Sequence, residues 1–172
     1  MILSSRSNRS ELITVSRSKN NMSTSKPLSF EEFVSIYSKV PRLGIDIIVK
    51  KNNGIVFVKR NIDPYKDMWH FPGSTLLFDE TIDGAVSRIV QNELNLKVLS
   101  KKYLGIIEYL SEPDDRFLKK HRHTVCLIFL VEAEGNLKRD EDASEVKILK
   151  STPKNIIPEQ KIFLDSHQEI FE

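Results

Sequence analysis

The chain has 172 residues, 40% hydrophobic and 29% charged, with a formal net charge of +2; this is the balance of a soluble globular protein long enough for one full-sized core. No apolar run approaches the roughly 18 to 20 residues of a membrane helix, which excludes a helical span. Arg6, Arg9, Arg17 and Lys19 against Glu11 give residues 1–21 a charge of +3 and leave −1 for the rest, so the body lacks the concentrated basic face expected of a nucleic-acid-binding domain.

Residues 1–28 are rich in Ser, Arg, Asn and Lys and show no apolar period; they are expected to form a disordered tail. Met22 offers an alternative start, and the Arg- and Ser-rich composition also resembles an organellar transit peptide. One domain is expected over 29–172. It opens at Ser29-Phe30-Glu31-Glu32, where Ser29 can cap a short helix and Glu32 can reach back to it. That helix runs to about residue 37 or 38, with Phe30, Phe33, Val34 and Tyr37 as its stripe.

Leu43 to Val49 and Ile55 to Lys59 read as strands, joined by Lys51-Asn52-Asn53-Gly54, whose Asn-Gly pair suits a hairpin turn. A polar loop over 61–68 precedes a short strand from Trp69 to Phe71 that stops at Pro72-Gly73. From Thr81 to Leu94, the residues Ile82, Ala85, Val86, Ile89, Val90 and Leu94 follow the spacing of a helix packed on one side. Strands follow at Tyr103 to Leu110, His123 to Ala133 and Glu145 to Leu149, and a helix from Pro158 to Phe171 closes the chain with Ile162, Phe163 and Ile170 inward. This order predicts an α/β fold, a mixed sheet covered by helices on both faces. Cys126 is the sole cysteine, so no internal disulfide forms, in keeping with a reducing, cytoplasmic setting. The oligomeric state, monomer or homodimer, stays open, because no coiled-coil pattern or interface stripe is present.

The chemistry concentrates between residues 69 and 96. Trp69-His70-Phe71-Pro72-Gly73-Ser74 leads through Asp79-Glu80-Thr81 into a helix carrying Arg88 and Glu93. Cleaving a diphosphate linkage calls for a hard divalent cation on oxygen ligands, left open to phosphate, and carboxylates one turn apart on a helix can supply such ligands. Glu80 lies at the helix start, where free N–H groups favour a carboxylate, and it can pair with Arg88.

The spacing Ser74-x5-Glu80-x7-Arg88-Ile89-Val90-x-Asn92-Glu93-x-Asn95-Leu96 resembles a degenerate Nudix box, G-x5-E-x7-R-E-U-x-E-E-x-G-U with U apolar. The family is an α/β/α sandwich. Three of its glutamates correspond to Ile89, Asn92 and Glu93, so only Glu93 remains a carboxylate. The losses are patterned: Pro72-Gly73-Ser74, Asp79-Glu80-Thr81, Arg88 and Glu93-Leu94-Asn95 are similar to the box of GDP-mannose mannosyl hydrolases, Nudix members that lack the usual glutamate cluster and cleave at the sugar C1 carbon. The likeness continues through residues 44–49, Val58-Lys59-Arg60-Asn61, Trp69, Leu104-Gly105 and His123.

This resemblance implies Mg2+ held by the Gly73 carbonyl, Glu93 and a group near Asp142, with Asp46, Arg60, Arg88 and Tyr109 on the substrate side. In the family Glu80 and Arg88 are largely structural, so Arg88 is shared between bracing the loop and touching substrate. Read without the resemblance, Asp46 is a bonded polar strand residue and Arg60 a solvated strand end. Some departures bear on mechanism. The family's general-base histidine corresponds to Ala143, a neighbouring glutamine ligand to Asp142, an arginine after the glycine pair to Thr75, and a histidine and a tyrosine to Tyr109 and Thr124. Asp142 or Glu145 could take the proton instead; the other reading of this stretch is an exposed acidic turn. Lys119-Lys120-His121-Arg122-His123 is read as a solvated loop end rather than a phosphate-steering patch, and its two histidines lack the third ligand a catalytic zinc uses.

Two functions follow as expectations. The first is a Mg2+-dependent hydrolase of nucleoside diphosphate sugars, GDP-mannose-like or related, resting on Gly73, Arg88, Glu93, Asp46 and Arg60 together. The second is a non-catalytic module that binds a nucleotide or a protein partner, resting on the lost carboxylates and the missing histidine. Persistence of both metal-site and substrate-position residues favours the enzyme.

Overall fold

A computed structural model of the chain describes residues 27–63, 65–114, 120–138 and 143–172; apart from residues 27 and 28, the expected N-terminal tail lies outside them. Helix α1, Phe30–Tyr37, carries the full capping box: Ser29 Oγ accepts the Glu32 N–H and Glu32 Oε2 accepts the Ser29 N–H. Its stripe is less buried than the spacing suggests. No residue of α1 is buried, and Phe30 is 65% exposed. Phe33 and Tyr37 meet edge to face, with the Arg42 guanidinium over the Phe33 ring.

The strands are β1 Arg42–Lys51, β2 Gly54–Arg60, β3 Trp69–His70, β4 Gly73–Thr75, β5 Lys97–Asp114, β6 Lys120–Glu134 and β7 Ala143–Leu149; the helices α2 Ile82–Leu94 and α3 Pro158–Asp165 lie between and after them. They form one mixed sheet of order β3-β2-β1-β6-β5, with β4 pairing β1 and β7 pairing β2. Among the described residues the β1–β6 ladder is parallel and the other ladders are antiparallel, with one isolated parallel bridge between Trp69 and Ile156. Alternation along β1 sends Ile45, Ile47 and Val49 into the core under α2, with Ala85, Val86, Ile89, Val90 and Leu94, while Ile48 joins Ile55, Phe57, Phe71, Phe163 and Leu164 on the α3 side. This is the α/β/α arrangement expected. Among the described residues no helix is long and apolar enough to cross a membrane.

Several details differ from expectation. The hairpin turns on Asn52 and Asn53, both at positive φ (50° and 56°), with Lys51 paired to Gly54, the geometry of a two-residue primed turn. Gly54 is needed for a different reason: a Cβ there would sit 2.7 Å from the Leu149 carbonyl of β7. Strands β5 and β6 run well past the segments read from the sequence, because each completes the other's antiparallel ladder. The last helix stops at Asp165, and a 3-10 turn, Gln168–Phe171, follows. Ile162 is not inward but 69% exposed; the buried face of α3 is Gln160, Phe163 and Leu164, one turn's i, i+3, i+4 set.

One feature of the sheet creates the cleft. β1 and β2 pair only beside their hairpin, at Lys50↔Ile55 and Lys51↔Gly54, and then splay. Residues 69–75 cross the gap: Trp69 and His70 pair with β2, and Gly73 to Thr75 pair with β1. A cleft opens where the strands part.

Candidate active site

Helix α2 starts cleanly at the rim of this cleft. Thr81 Oγ1 accepts the Gly84 N–H, and Asn95 ends the helix in the left-handed conformation (φ 55°). Just before the helix, the Glu80 carboxylate is 7% exposed and receives Arg88 in a fork, Nε to Oε1 at 2.6 Å and Nη2 to Oε2 at 2.8 Å. Arg88 Nη2 also donates to the Thr75 carbonyl, and Glu80 Oε2 accepts the Leu77 N–H. Hydrogen bonding to Arg88 holds the Glu80 carboxyl below its ordinary range. The pair therefore ties loop 75–80 to the helix, while one side of Arg88 borders the cleft.

Glu93, further along α2, accepts the Gly73 N–H on Oε2 at 3.2 Å. Gly73 is opposite Asp46, and the Ile47 N–H bonds to the Pro72 carbonyl, which marks 46/73 as a non-hydrogen-bonded pair. Both backbone groups of Gly73 consequently turn away from β1, so its carbonyl lies on the same strand edge as the N–H that meets Glu93. A side chain is excluded here: a Cβ on Gly73 would collide with the Asp46 carboxylate and stand 2.9 Å from the Ile45 carbonyl.

Two cavities share the cleft. The first, about 290 Å³, is lined by Glu93, Asn92, Arg88, Gly73 and Ser74 on its polar side and by Val58, Ile62, Ile89 and Ala143 on the other. The second, about 120 Å³, is lined by Asp46, Tyr109, Gln160, Arg42, Tyr65 and Thr124. Arg60, His70 and Gly73 border both. In the second cavity Tyr109 donates its O–H to Asp46 Oδ2 at 2.5 Å, and Gln160 Nε2 reaches both the Tyr109 oxygen (3.0 Å) and Asp46 Oδ2 (3.4 Å). Burial pushes the Asp46 carboxyl up from 3.8 to about 6, against the pull of the Tyr109 hydrogen bond. Burial, then the Asp46 charge, raises the Tyr109 hydroxyl and the Cys126 thiol above their usual ranges.

The sequence candidates thus separate. Gly73, Glu93, Arg88 and Arg60 meet at the first cavity, and Asp46, Tyr109 and again Arg60 at the second. Asp142 lies outside the described residues. Glu145 is turned away. It pairs with Lys59 on the sheet face opposite Val58 and Val146, forms an ion pair with Lys147 at 2.5 Å, and Lys147 in turn lies over the Trp69 ring; the period-2 alternation of β7 puts it on the other face from the α2 core. Ala143, the position that the sequence resemblance matches to a general-base histidine, lines the first cavity with a methyl group. His123 bonds to Glu108 across β5 and β6, and the side chains of residues 119–122 lie outside the described residues.

Three site residues escaped the sequence reading. Gln160 is 2% exposed, and its Oε1 accepts the Phe71 N–H at 2.8 Å; a polar residue inside the apolar stripe of α3 was the signal. Arg42 borders the second cavity with its Nε buried and without a hydrogen-bond partner. His70 sits at the junction, and its place two residues before Pro72-Gly73 was the only hint.

As a cation site, Glu93, the Gly73 carbonyl and the Asn92 amide oxygen offer hard oxygen donors beside a cavity, with a single carboxylate among them. No group of three or more His, Cys, Asp or Glu residues suited to a metal occurs among the described residues. Such a donor set fits a hard divalent ion that keeps waters and takes further ligands from substrate phosphate.

Comparison with known proteins identifies the family. The NUDIX domain model matches residues 40–165. The low-salt glycan biosynthesis protein Agl8 of Haloferax volcanii is 25% identical over 137 residues, 79% of this chain and 88% of that protein. The ADP-ribose pyrophosphatase of Methanocaldococcus jannaschii is 30% identical over 128 residues, 73% of this chain and 72% of that protein. Among solved structures, the MutT NUDIX hydrolase of Burkholderia pseudomallei superposes with a TM-score of 0.64 at 20% identity, over 73% of this chain and 97% of that one. The family model covers most of the chain and the α/β/α fold accompanies it: this chain belongs to the NUDIX domain family and is a Nudix hydrolase.

Proposed function

We propose that the chain is a Mg2+-dependent hydrolase of nucleoside diphosphate sugars, GDP-mannose-like or ADP-ribose-like. The observation that carries this reading is the pair of cavities joined at Arg60: a hard-oxygen cation site on one side, a buried hydroxyl-binding network on the other. A diphosphate linking two groups suits that layout. Bound at Glu93 and the Gly73 carbonyl, Mg2+ would neutralise phosphate charge and polarise the bond to be cut. Arg60 stands where both cavities meet and would hold the diphosphate oxygens as a fork. Asp46, oriented by Tyr109 and Gln160, would accept hydroxyl groups of the ribosyl or glycosyl part. Arg88 acts mainly through Glu80, fixing the end of β4 at Thr75 and the loop that follows it to helix α2. Asp142 is the proposed proton acceptor for water and a further metal ligand, and Glu145 is not. The relative named for ADP-ribose supports the substrate class, since ADP-ribose is itself a nucleoside diphosphate joined to a sugar.

The test is incubation of the full chain with Mg2+ and GDP-, UDP- and ADP-sugars, ADP-ribose among them, with product analysis. Turnover that disappears in Glu93→Gln is expected. Sugar phosphate with nucleoside monophosphate would place cleavage in the diphosphate; free sugar with nucleoside diphosphate would place it at the sugar–phosphate link, where 18O from water found in the sugar marks attack at carbon and 18O in the phosphate marks attack at phosphorus. A ligand-dependent rise in Tm without turnover would identify a nucleotide-binding module instead.

A further inference from the structure

His70 stands at the centre of the cleft, where the two cavities meet. It pairs with Val58 on β2 and borders both cavities, beside Arg60 and Gly73. Its Nδ1–H donates to the Phe71 carbonyl at 2.6 Å; a carbonyl oxygen can only accept, so the proton is on Nδ1 and Nε2 keeps its lone pair. The neighbouring peptide is held from the other side as well, because the Phe71 N–H donates to Gln160 Oε1. The ring is therefore fixed in position and in tautomer before any ligand arrives. Burial, with the Arg60 charge acting the same way, pushes the imidazole down to about 4, so the ring is neutral near pH 7.

Phosphate oxygens are acceptors and gain nothing from a nitrogen lone pair; they belong to Arg60 and the cation. The group against His70 must bring a donor. We propose that His70 is a specificity-determining residue whose Nε2 accepts a hydrogen bond from a hydroxyl of the sugar moiety where the substrate passes from one cavity to the other. This rests on the nucleoside diphosphate sugar reading of the site. It assigns His70 to recognition of a hydroxylated group, as distinct from the charge recognition supplied by Arg60. A site that holds a hydroxyl by a buried acceptor rejects the analogue lacking it, since the acceptor is then left unpaired.

The experiment measures kcat/KM of the full chain with Mg2+ on ADP-ribose, GDP-mannose and their mono-deoxy sugar analogues, for wild type, His70→Ala and His70→Gln. Wild type should lose roughly tenfold or more on one deoxy analogue. His70→Ala should show the same loss on the parent substrate and little further loss on that analogue. His70→Gln, whose Oε1 restores an acceptor, should recover part of the preference. Thermal melts of both variants separate a folding defect from a lost contact, and the wild-type analogue series tests the idea whether or not the variants fold. Equal turnover of all deoxy analogues by wild type overturns the inference, as does a His70→Ala loss of the same size on parent and analogues. If wild type turns over no nucleoside diphosphate sugar, the underlying reading fails instead.

Discussion

Asp46→Asn should make the protein more stable at neutral pH while removing its ability to bind substrate. Asp46 is 8% exposed and receives hydrogen bonds from Tyr109 and Gln160, but these do not compensate burial of its charge: the carboxyl rises from 3.8 to about 6 in the folded state. Because the folded-state value lies above the unfolded one, the native protein binds the proton more tightly between these two values. Stability therefore falls as pH rises through that window and stays low above it. The total is about 3 kcal/mol, from about 1.4 kcal/mol for each pH unit of displacement. Asparagine has nearly the same shape and cannot ionise, so the variant lacks this slope. Urea or thermal unfolding of both proteins from about pH 4 to about pH 7, in chelator, reads the difference directly. The variant should gain about 3 kcal/mol on wild type across the range, or about 6 to 12 °C in Tm for a domain of this size. Parallel stability curves would refute the reasoning, showing that Asp46 ionises in the fold as easily as in the unfolded chain. Keeping a carboxylate that destabilises the fold is consistent with a role in binding.

The Glu80–Arg88 fork gives a second expectation. Glu80→Gln removes the charge-assisted partner of a partly buried guanidinium and should lower stability by about 1 to 3 kcal/mol in urea unfolding near pH 7; no measurable change would show that the loop is held by other contacts. The Glu80 carboxyl is held low in the fold, so its contribution is present above its unfolded value and lost as pH falls through the folded one. Gly73→Ala inserts a Cβ into the Asp46 carboxylate and the Ile45 carbonyl, and should lower stability by about 1 to 3 kcal/mol and abolish turnover; a variant as stable and active as wild type would show that β4 can shift away from β1 without penalty.

The helices, the strands and their two-faced packing were legible because each rests on a local pattern: the Ser29–Glu32 box, the stripe from Ile82 to Leu94, the alternation of residues 44 to 49. The box spacing also identified Glu80, Arg88 and Glu93 as a group. What remained hidden depends on pairing between distant strands. That β1 and β2 splay after two residue pairs, and that residues 69–75 bridge them, follows from ladders no local window contains. His70 acquires significance only through that bridge, which sets it beside Arg60. Gln160 becomes a site residue because α3 returns beneath Phe71 from 89 positions away. Glu145 was misplaced for the converse reason: nearness in sequence to residue 142 suggested the site, and the register with Lys59 put its side chain on the other face. The extent of Ile162's exposure shows the same limit, since an apolar residue at a helix-compatible position gives no sign of whether anything packs over it.

In the proposed function a cation held at Glu93 and Gly73 serves hydrolysis of a nucleoside diphosphate whose sugar lies by Asp46. The most direct measurement is product formation from ADP-ribose and GDP-mannose as Mg2+ is titrated, for wild type and Glu93→Gln side by side. Saturable Mg2+-dependent turnover is predicted for wild type, with a loss of about a hundredfold or more in the variant. Turnover that is indifferent to Mg2+, or equal in the two proteins, would contradict the account.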